Sequence, residues 1–474
     1  MIELSENITG YILNHFGESY LEKYKEYFRG EYHPYLRISP FINSEKLVED
    51  IKRYEIELEK VENISNAYKI IAGNNVAGKT LEFILGEYYI QSLSSMIPAL
   101  VLNPNENDTV LDMCAAPGSK TTQLAEIMNN KGTLIANEVS LERMKSLVFN
   151  IDKMNFVNIG VMKNKGELLG KIFDSRFDKI LIDAPCSALG ITQKKGEVSN
   201  WWNEKKVQGI AETQYKLLVS AIKMCKVGGE MVYSTCTLTM EENELVLDKI
   251  LKKYPVELID IELPVKSHPA FTKYLGEELN PQISKARRIV PWEIGSEGFF
   301  VSKFRKVDES DSPEKYPRKE KKHELVKSSN GKIKSIIEYL SDFYGIQKDV
   351  FDNYKYLLKQ EDIYFVDKNW ECDNLEMFMR IGSKLGSIDR RRNVQLHTLG
   401  AQTLGKYAFQ NCIILETQKE LESYFGGAII KGEYEPGQKI VKFRGFILGT
   451  AVASHEGLKS QFPRAFRTQE IILK

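Results

Sequence analysis

The sequence predicts an α/β fold, a doubly wound parallel sheet, over residues 101–305, and three observations predict it. Short β-branched and apolar runs alternate with longer helical segments at the spacing of strand–crossover–strand units. Several of these runs end in loops of small or functional residues, where open α/β sheets hold their ligands. The stretches on either side lack the alternation, which confines the sheet to the middle of the chain. At 474 residues the chain exceeds one ordinary core, so further domains are expected around it.

Taken in order, residues 1–100 read as a mixed, mostly helical accessory region. Within it Leu47, Val48, Ile51, Tyr54 and Ile56 mark an amphipathic helix running into a short strand. Strands are expected at Thr109–Met113, Thr133–Ala136, Asn158–Met162, Lys179–Asp183, Glu230–Ser234 and Val256–Asp260. Helices are expected between most of them, at Lys120–Met128, Leu141–Met154, Gly209–Cys225 and Glu241–Lys253. Gly298–Phe304, GFFVSKF, adds a late strand expected at the antiparallel edge. Residues 306–332 are strongly charged, carry two prolines and show almost no apolar periodicity, so they read as an exposed linker. An intermediate α/β segment, 333–395, follows. Residues 396–474 give short strands with glycine turns, clearest in KIVKFRGFILGTAVAS, and predict a small β-rich module.

Composition excludes several classes. Lys plus Arg equals Asp plus Glu at 65 each, so any nucleic-acid surface must be local and not a property of the whole chain. No apolar run is long enough to span a bilayer, and MIELSENITG does not have the pattern of a signal peptide, so a cytoplasmic protein without membrane contact is expected. Six cysteines stand at 114, 186, 225, 236, 372 and 412 without C-x-x-C spacing, and the six histidines are scattered. Neither a metal site nor a disulfide framework is expected.

Four motifs carry chemistry. In TVLDMCAAPGSKTTQLAE a strand ends at Asp112, a loop of small residues follows, and a helix begins near Ser119. Unpaired N–H groups at such a strand tip suit a nucleotide-like ligand, and Gly118 is expected to let the backbone approach it. Glu138 stands at the tip of the next strand, where a carboxylate suits two ribose hydroxyls; the plainer reading is a surface Glu capping the next helix. FDKILIDAPCSALG delivers Asp183 and Cys186 to the same end of the sheet, and KVGGEMVYSTCTLTMEENE delivers Cys236. Free cysteines are often inert core residues, but two at adjacent strand tips facing one crevice are hard to explain that way. Carbon 5 of cytosine takes up a methyl group only after a thiolate has added to carbon 6, and an acid near the ring nitrogen assists that addition.

DMCAAPGSK, DAPCSALG and YSTCTLTMEENE resemble the signature set of the Sun/Nop-type RNA 5-methylcytosine methyltransferases. The likeness extends to YYIQSLSS, the helix near Gln214 and SEGFFVSKF. The resemblance implies a class I, Rossmann-like, S-adenosylmethionine-dependent methyltransferase domain with an N-terminal accessory region. It implies Cys236 as nucleophile, Cys186 in product release, and Asp183 beside the base. It places S-adenosylmethionine against Cys114, Ala115, Ala116, Pro117, Gly118, Ser119 and Lys120, with Glu138 and Asp183. The sequence departs from the family where Asn164 and Lys165 stand in place of an Asp in the third-strand loop. Residues 380–474, with LESYFGGAIIKGEYEPGQ and LKSQFPRAFR, are similar to the tail of RsmF-type enzymes, which carry a PUA-like RNA-binding module and modify small-subunit (16S) ribosomal RNA. Ribosomal RNA, or the small ribosomal subunit, is therefore the first expected partner and transfer RNA the second.

Two readings of other classes stand beside this one. GNNVAGKT, Gly73–Thr80, matches the P-loop pattern of an NTPase, although the apolar run before it is short and it lies outside the alternating region. A non-catalytic ribosome-binding factor would keep the fold but has no need of both Cys186 and Cys236. Trp201 and Trp202 are candidates for stacking on an extruded nucleotide or for packing under the site. The linker lysines, Arg390, Arg391, Arg392, Lys442, Arg444, Lys459, Arg464 and Arg467 are candidates for phosphate contacts.

Overall fold

A computed structural model describes residues 4–310, 323–390, 393–467 and 471–472. Its centre is a sheet of ten strands. Five are parallel: Thr109–Asp112, Thr133–Asn137, Ile159–Met162, Phe177–Asp183 and Cys225–Thr235. Numbered along the chain, they lie in the order 3-2-1-4-5, so the direction of winding reverses between Thr109–Asp112 and Phe177–Asp183. At that reversal the crossovers leave to opposite sides and open a crevice at the carboxyl ends of the strands.

Successive residues of each strand point to opposite faces, and both faces are covered. Leu111, Ile135, Ile180, Ile182 and Tyr233 pack with Leu217, Leu218 and Ala221 of the helix Glu204–Met224 on one side. Val110, Leu134, Ala136, Leu181 and Val232 pack on the other with the helices Leu93–Leu102, Ser119–Ile127 and Leu141–Lys153. This two-sided burial is why the strands read as nearly continuous apolar runs.

The strand Phe299–Lys306 is antiparallel to Cys225–Thr235, but it is not the edge that the sequence suggested. Arg287–Ile289 pairs with its first half (Arg288 opposite Phe300) and Val256–Ile259 with its second (Leu258 opposite Phe304). Eight residues long, it offers its outer side to two short strands end to end. At the opposite margin the sheet takes an antiparallel strand from far along the chain: Phe378–Ile381 pairs with Ile159–Met162. Gly160 makes room there, since a Cβ on it would lie 2.5 Å from Trp370.

The N-terminal region carries more strand than its sequence suggested. Glu57–Lys60, Ala67–Ala72, Tyr35–Ile38 and Tyr88–Ile90 form an antiparallel sheet in that order. The helix Ser44–Ile51 does run on toward the strand Glu57–Lys60. GNNVAGKT sits in this sheet's margin and has no P-loop geometry. The strand before it is antiparallel to both neighbours, and only the four-residue helix Leu81–Ile84 follows. Thr80 is fully buried, caps Phe83 N and meets the Tyr88 hydroxyl at 2.7 Å, so its side chain is committed to packing.

Arg37 fastens this region to the central sheet. Its guanidinium, 1 % exposed, donates to Glu126 at 2.6 Å, to Thr122 at 3.1 Å, to the Ser119 carbonyl at 3.2 Å and to Gln91. Arg37→Ala would leave the Glu126 carboxylate buried without its cation and is expected to cost about 3–5 kcal/mol. Denaturant titration of the full chain measures it; a loss below about 1 kcal/mol, the scale of an exposed pair, would show that the contact does not hold the lobe.

Of the stretch 306–332 read as an exposed linker, residues 311–322 lie outside the described residues. Its last part is structured. Val326–Lys327 pairs with Tyr354–Lys359, and the helix Gly331–Tyr344 begins within it because Ile333, Ile336, Ile337 and Leu340 recur on one buried face. Beyond it lie two five-stranded sheets, one from residues 326–396 and one from residues 412–460, joined by the helix Thr398–Leu404. Leu385, Leu404 and Ile440 share a core across the junction. Among the described residues no helix is long and apolar enough to cross a membrane.

Candidate active site

The crevice at the winding reversal has a volume of about 300 Å³. Asp112 closes its floor. One carboxylate oxygen accepts from Thr121 at 2.7 Å, while the other is buried without a hydrogen-bond partner of good geometry. Burial pushes this carboxyl up to about 7, with the Thr121 hydrogen bond opposing it. The loop that follows is held from outside: Arg143 donates to the Ala116 carbonyl at 2.5 Å and Asn150 to the Pro117 carbonyl at 2.9 Å. Cys114, Ala115, Ala116, Pro117, Ser119 and Lys120 all line the cavity, and burial pushes the Cys114 thiol well up.

Gly118 has a packing role besides the one the sequence suggested. Its φ is +109°, in the region that favours glycine, and a Cβ would meet Leu147 at 3.1 Å, so it serves the close packing of two helices. Glu138 is 2 % exposed and not a surface cap. It accepts from Ser140 N at 2.8 Å and faces Arg143 at 3.5 Å, while the helix cap itself is Ser140. Arg143 thus connects Glu138 to the cavity it lines.

Lys120, 7 % exposed, donates to Asp183 at 2.7 Å and to Ser95 at 2.9 Å; Asp183 accepts a second bond from Ser234 at 2.8 Å. The acid is thereby fixed between the two motifs that end in cysteine. Cys186 and Cys236, both half-buried, stand with their sulfurs 3.0 Å apart. The hydrogen bond with Cys236, burial, negative charge on Cys236 and then that of Glu242, in that order, push the Cys186 thiol well above its ordinary value. Cys236 lines the cavity together with Asp183.

Sequence reasoning missed Asn137, Gln214 and Glu242. Asn137 accepts from Asn164 N at 3.0 Å and donates to the Asn164 carbonyl at 3.1 Å and to the Met113 carbonyl at 3.0 Å. One carboxamide thus aligns the first and third loops, and an Asn at a buried strand tip was the signal available. Lys165, which follows Asn164, is exposed. Trp202 is buried against Tyr11, ring centroids 5.2 Å apart, whereas Trp201 is half-buried beneath Lys206.

Among the basic residues, Arg390, Arg444, Lys459 and Arg464 are exposed. Lys442 donates to the Ala408 carbonyl and Arg467 to the Phe462 carbonyl, so these two serve the fold. Arg391, Arg392 and the linker lysines between 311 and 322 lie outside the described residues. A second cavity of about 340 Å³ lies beside Tyr364 and Arg380, but its Arg380 and Lys384 are already paired with Asp152 and Asp362. Among the described residues no group of His, Cys, Asp and Glu is arranged to hold a metal ion.

Comparison with known proteins adds the following. A family model described as 16S rRNA methyltransferase RsmB/F matches residues 99–305. The chain is 35% identical over 396 residues to the ribosomal RNA small subunit methyltransferase F of Shewanella piezotolerans, covering 82% of this chain and 80% of that one. It is 33% identical over 286 residues to a tRNA (cytosine(49)-C(5))-methyltransferase of Pyrococcus abyssi, covering 60% of this chain and 92% of that one. Among solved structures, a methyltransferase homolog protein from Pyrococcus horikoshii is 29% identical, with a TM-score of 0.56, over 64% of this chain and 100% of that one.

Proposed function

Because the chain belongs to the RsmB/F family of RNA methyltransferases, we propose that it methylates carbon 5 of cytosine in small-subunit ribosomal RNA through a covalent bond from Cys236. It is an S-adenosylmethionine-dependent RNA cytosine-5 methyltransferase. The observation that carries the assignment of residues is the pair of thiols 3.0 Å apart, one of which, Cys236, lines with Asp183 a crevice of about 300 Å³.

The residues present fit the cofactor. Buried Asp112 keeps one oxygen free of good partners, Asp183 adds a second carboxylate to the lining, and Glu138 stands behind Arg143, around a cavity that would receive a positively charged sulfonium nucleoside. We assign Ala115 to Lys120, with Cys114, to hold it, and Glu138 to its ribose. When bound, S-adenosylmethionine supplies an electrophilic methyl group.

Cys236 adds to carbon 6 of an extruded cytosine, which turns carbon 5 into a nucleophile. Asp183, held by Lys120 and Ser234, serves the ring nitrogen, where the addition builds negative charge. After carbon 5 has been methylated, its proton passes to water, the electron pair left behind restores the 5,6 double bond, and the Cys236–carbon bond breaks with its pair leaving on sulfur. Cys186, the protonated neighbour, returns a proton to the departing sulfur. Cys186→Ala is therefore expected to accumulate a denaturant-resistant protein–RNA complex on ordinary RNA, visible as a shifted band, while the parent shows none. Absence of the band, with normal turnover, would remove Cys186 from product release.

Residues 1–100 are assigned as an accessory region, 101–305 as the catalytic domain, 306–332 as the connector, 333–395 as an intermediate α/β segment and 396–474 as a PUA-like RNA-binding module. The strand Phe378–Ile381 of the intermediate segment is lent to the catalytic sheet. A cytoplasmic location accords with an RNA substrate of this kind. The small-subunit relative aligns over 82% of this chain and the transfer-RNA relative over 60%, which favours ribosomal RNA and keeps transfer RNA as the second reading. Labelled methyl transfer to unmodified small-subunit RNA, to assembled small subunits and to transfer RNA separates them. Incorporation into transfer RNA alone would overturn the first choice.

A further inference from the structure

Two chemically identical thiols 3.0 Å apart must be told apart if one is to attack and the other to carry a proton. The side chains around them provide an asymmetry. The residues flanking Cys236 are held by Asn243, which accepts from Thr235 at 2.7 Å and donates to the Thr237 carbonyl at 3.2 Å. Those around Cys186 are held by Glu242, which is fully buried. One Glu242 oxygen accepts from Ser187 N at 2.8 Å and from Gln214 at 3.0 Å, while the other accepts from Thr239 at 2.7 Å and from the Ser187 hydroxyl. Gln214 donates as well to the Pro185 carbonyl at 2.9 Å, so the residues on both sides of Cys186 are tied to this carboxylate. The two loops are stitched together by Ser187 and Thr237, 2.9 Å apart.

These four partners are neutral. The Asn243 clamp is neutral too, so the cysteines differ in their immediate neighbours: Ser187, next to Cys186, meets the carboxylate directly, whereas Thr235 and Thr237 meet an amide and the carboxylate reaches that side only at Thr239. Burial pushes the Glu242 carboxyl up, and the hydrogen bonds from Ser187, Thr239 and Gln214 oppose it; four donors converging on two oxygens is the arrangement of an ionised acceptor. A negative charge behind a thiol disfavours a second negative charge on its sulfur.

Resting on the proposed function above, we infer that Glu242 is the positioning residue that gives the two thiols their separate roles, clamping the Cys186 loop and setting a buried carboxylate behind that thiol. Cys186 then keeps its proton and directs it at Cys236, which is left as the sulfur that attacks. The raised Cys186 thiol, to which Glu242 contributes after the Cys236 hydrogen bond, burial and the charge on Cys236, agrees with this. Glu242 touches neither base nor cofactor in this arrangement; it acts through the two loops.

The test uses limiting iodoacetamide on the full chain, with the alkylated peptides quantified by mass spectrometry. The parent is expected to alkylate at Cys236 over Cys186 by about tenfold or more, since reactivity follows the thiolate fraction. In Glu242→Gln, which keeps the shape and loses the charge, the preference is expected to fall to within about threefold. Its turnover should drop while KM for RNA stays near the parent value. General loosening of the fold would raise both alkylation rates together and would leave no such change in ratio.

Glu242→Asp keeps the charge and shortens the reach, so it should preserve the preference for Cys236 and slow release of the adduct. It carries the test if the Gln variant does not fold. An unchanged preference in folded Glu242→Gln, or parent-like turnover in Glu242→Asp, overturns the inference and leaves Cys236 as nucleophile. A parent that alkylates first at Cys186 would instead overturn the choice of nucleophile, and this inference with it.

Discussion

Cys236→Ala is expected to abolish methylation and to leave no adduct with RNA containing 5-azacytidine. That analogue has nitrogen at ring position 5 and no proton there to lose, so the parent bound to it should stay attached. Loss of a covalent nucleophile removes a whole reaction path, and a fall on the order of 10⁴–10⁶-fold in kcat is the expected scale. Packing gives no reason for the protein to unfold, because Cys236 is only half-buried at a strand end. Labelled methyl transfer and denaturing gels measure the two effects separately. An adduct that survives Cys236→Ala and vanishes only in Cys186→Ala would exchange the roles of the two cysteines. No adduct in any version, with RNA binding intact, would favour a factor that binds RNA without modifying it.

Asp183→Ala should produce the next largest loss, about 10²–10⁴-fold in kcat, the usual range for removing a general acid or base. The same change leaves Lys120, 7 % exposed, without its carboxylate. Part of the loss would therefore come from a displaced lysine beside the cofactor loop. Asp183→Asn separates the contributions, since it keeps the shape and an acceptor for Ser234. If Asp183 acts on the base, the Asn variant should lose kcat with RNA affinity near that of the parent. If it serves only to seat Lys120, cofactor affinity should fall while kcat at saturation recovers. Parent-like kcat in both variants would take Asp183 out of the reaction.

What the sequence made legible follows a physical rule. The parallel strands were readable because each is buried on both faces, so its residues form an unbroken apolar run that stops at a loop of distinctive chemistry. The placement of Asp112, Glu138, Asp183, Cys186 and Cys236 at strand tips came from that rule. Pairing between distant short segments was not readable. Arg287–Ile289 and Phe378–Ile381 are three and four residues long, too short to show a period, and each is a strand because of the edge it meets. The error over Phe299–Lys306 came from the same source, because the strands that cover it are visible only in space. The packing of Gly118 against Leu147 was not readable, since a glycine records that something is close without recording what. GNNVAGKT shows the converse: a short pattern matched in full, in a setting that gives it no phosphate to hold. Glu242 was missed because it lies in a run of acids, MEENE, that reads as a solvated surface.

The strand Phe378–Ile381 also sets the order of events during synthesis. The edge it completes, Ile159–Met162, leaves the ribosome some two hundred residues earlier. At about 5–20 residues per second, the nascent catalytic sheet waits roughly 10–45 s with one margin unpaired. Over that interval its amides and carbonyls are open to another strand, from the same chain or from a neighbouring polysome product. The exposed margin is only four residues long, and its Gly160 stays uncovered until Trp370 and Phe378 arrive to fill the space beside it. A newly made chain is thus least protected in the interval just before its last fifth emerges, and the start of that last fifth completes the sheet on which the reaction depends.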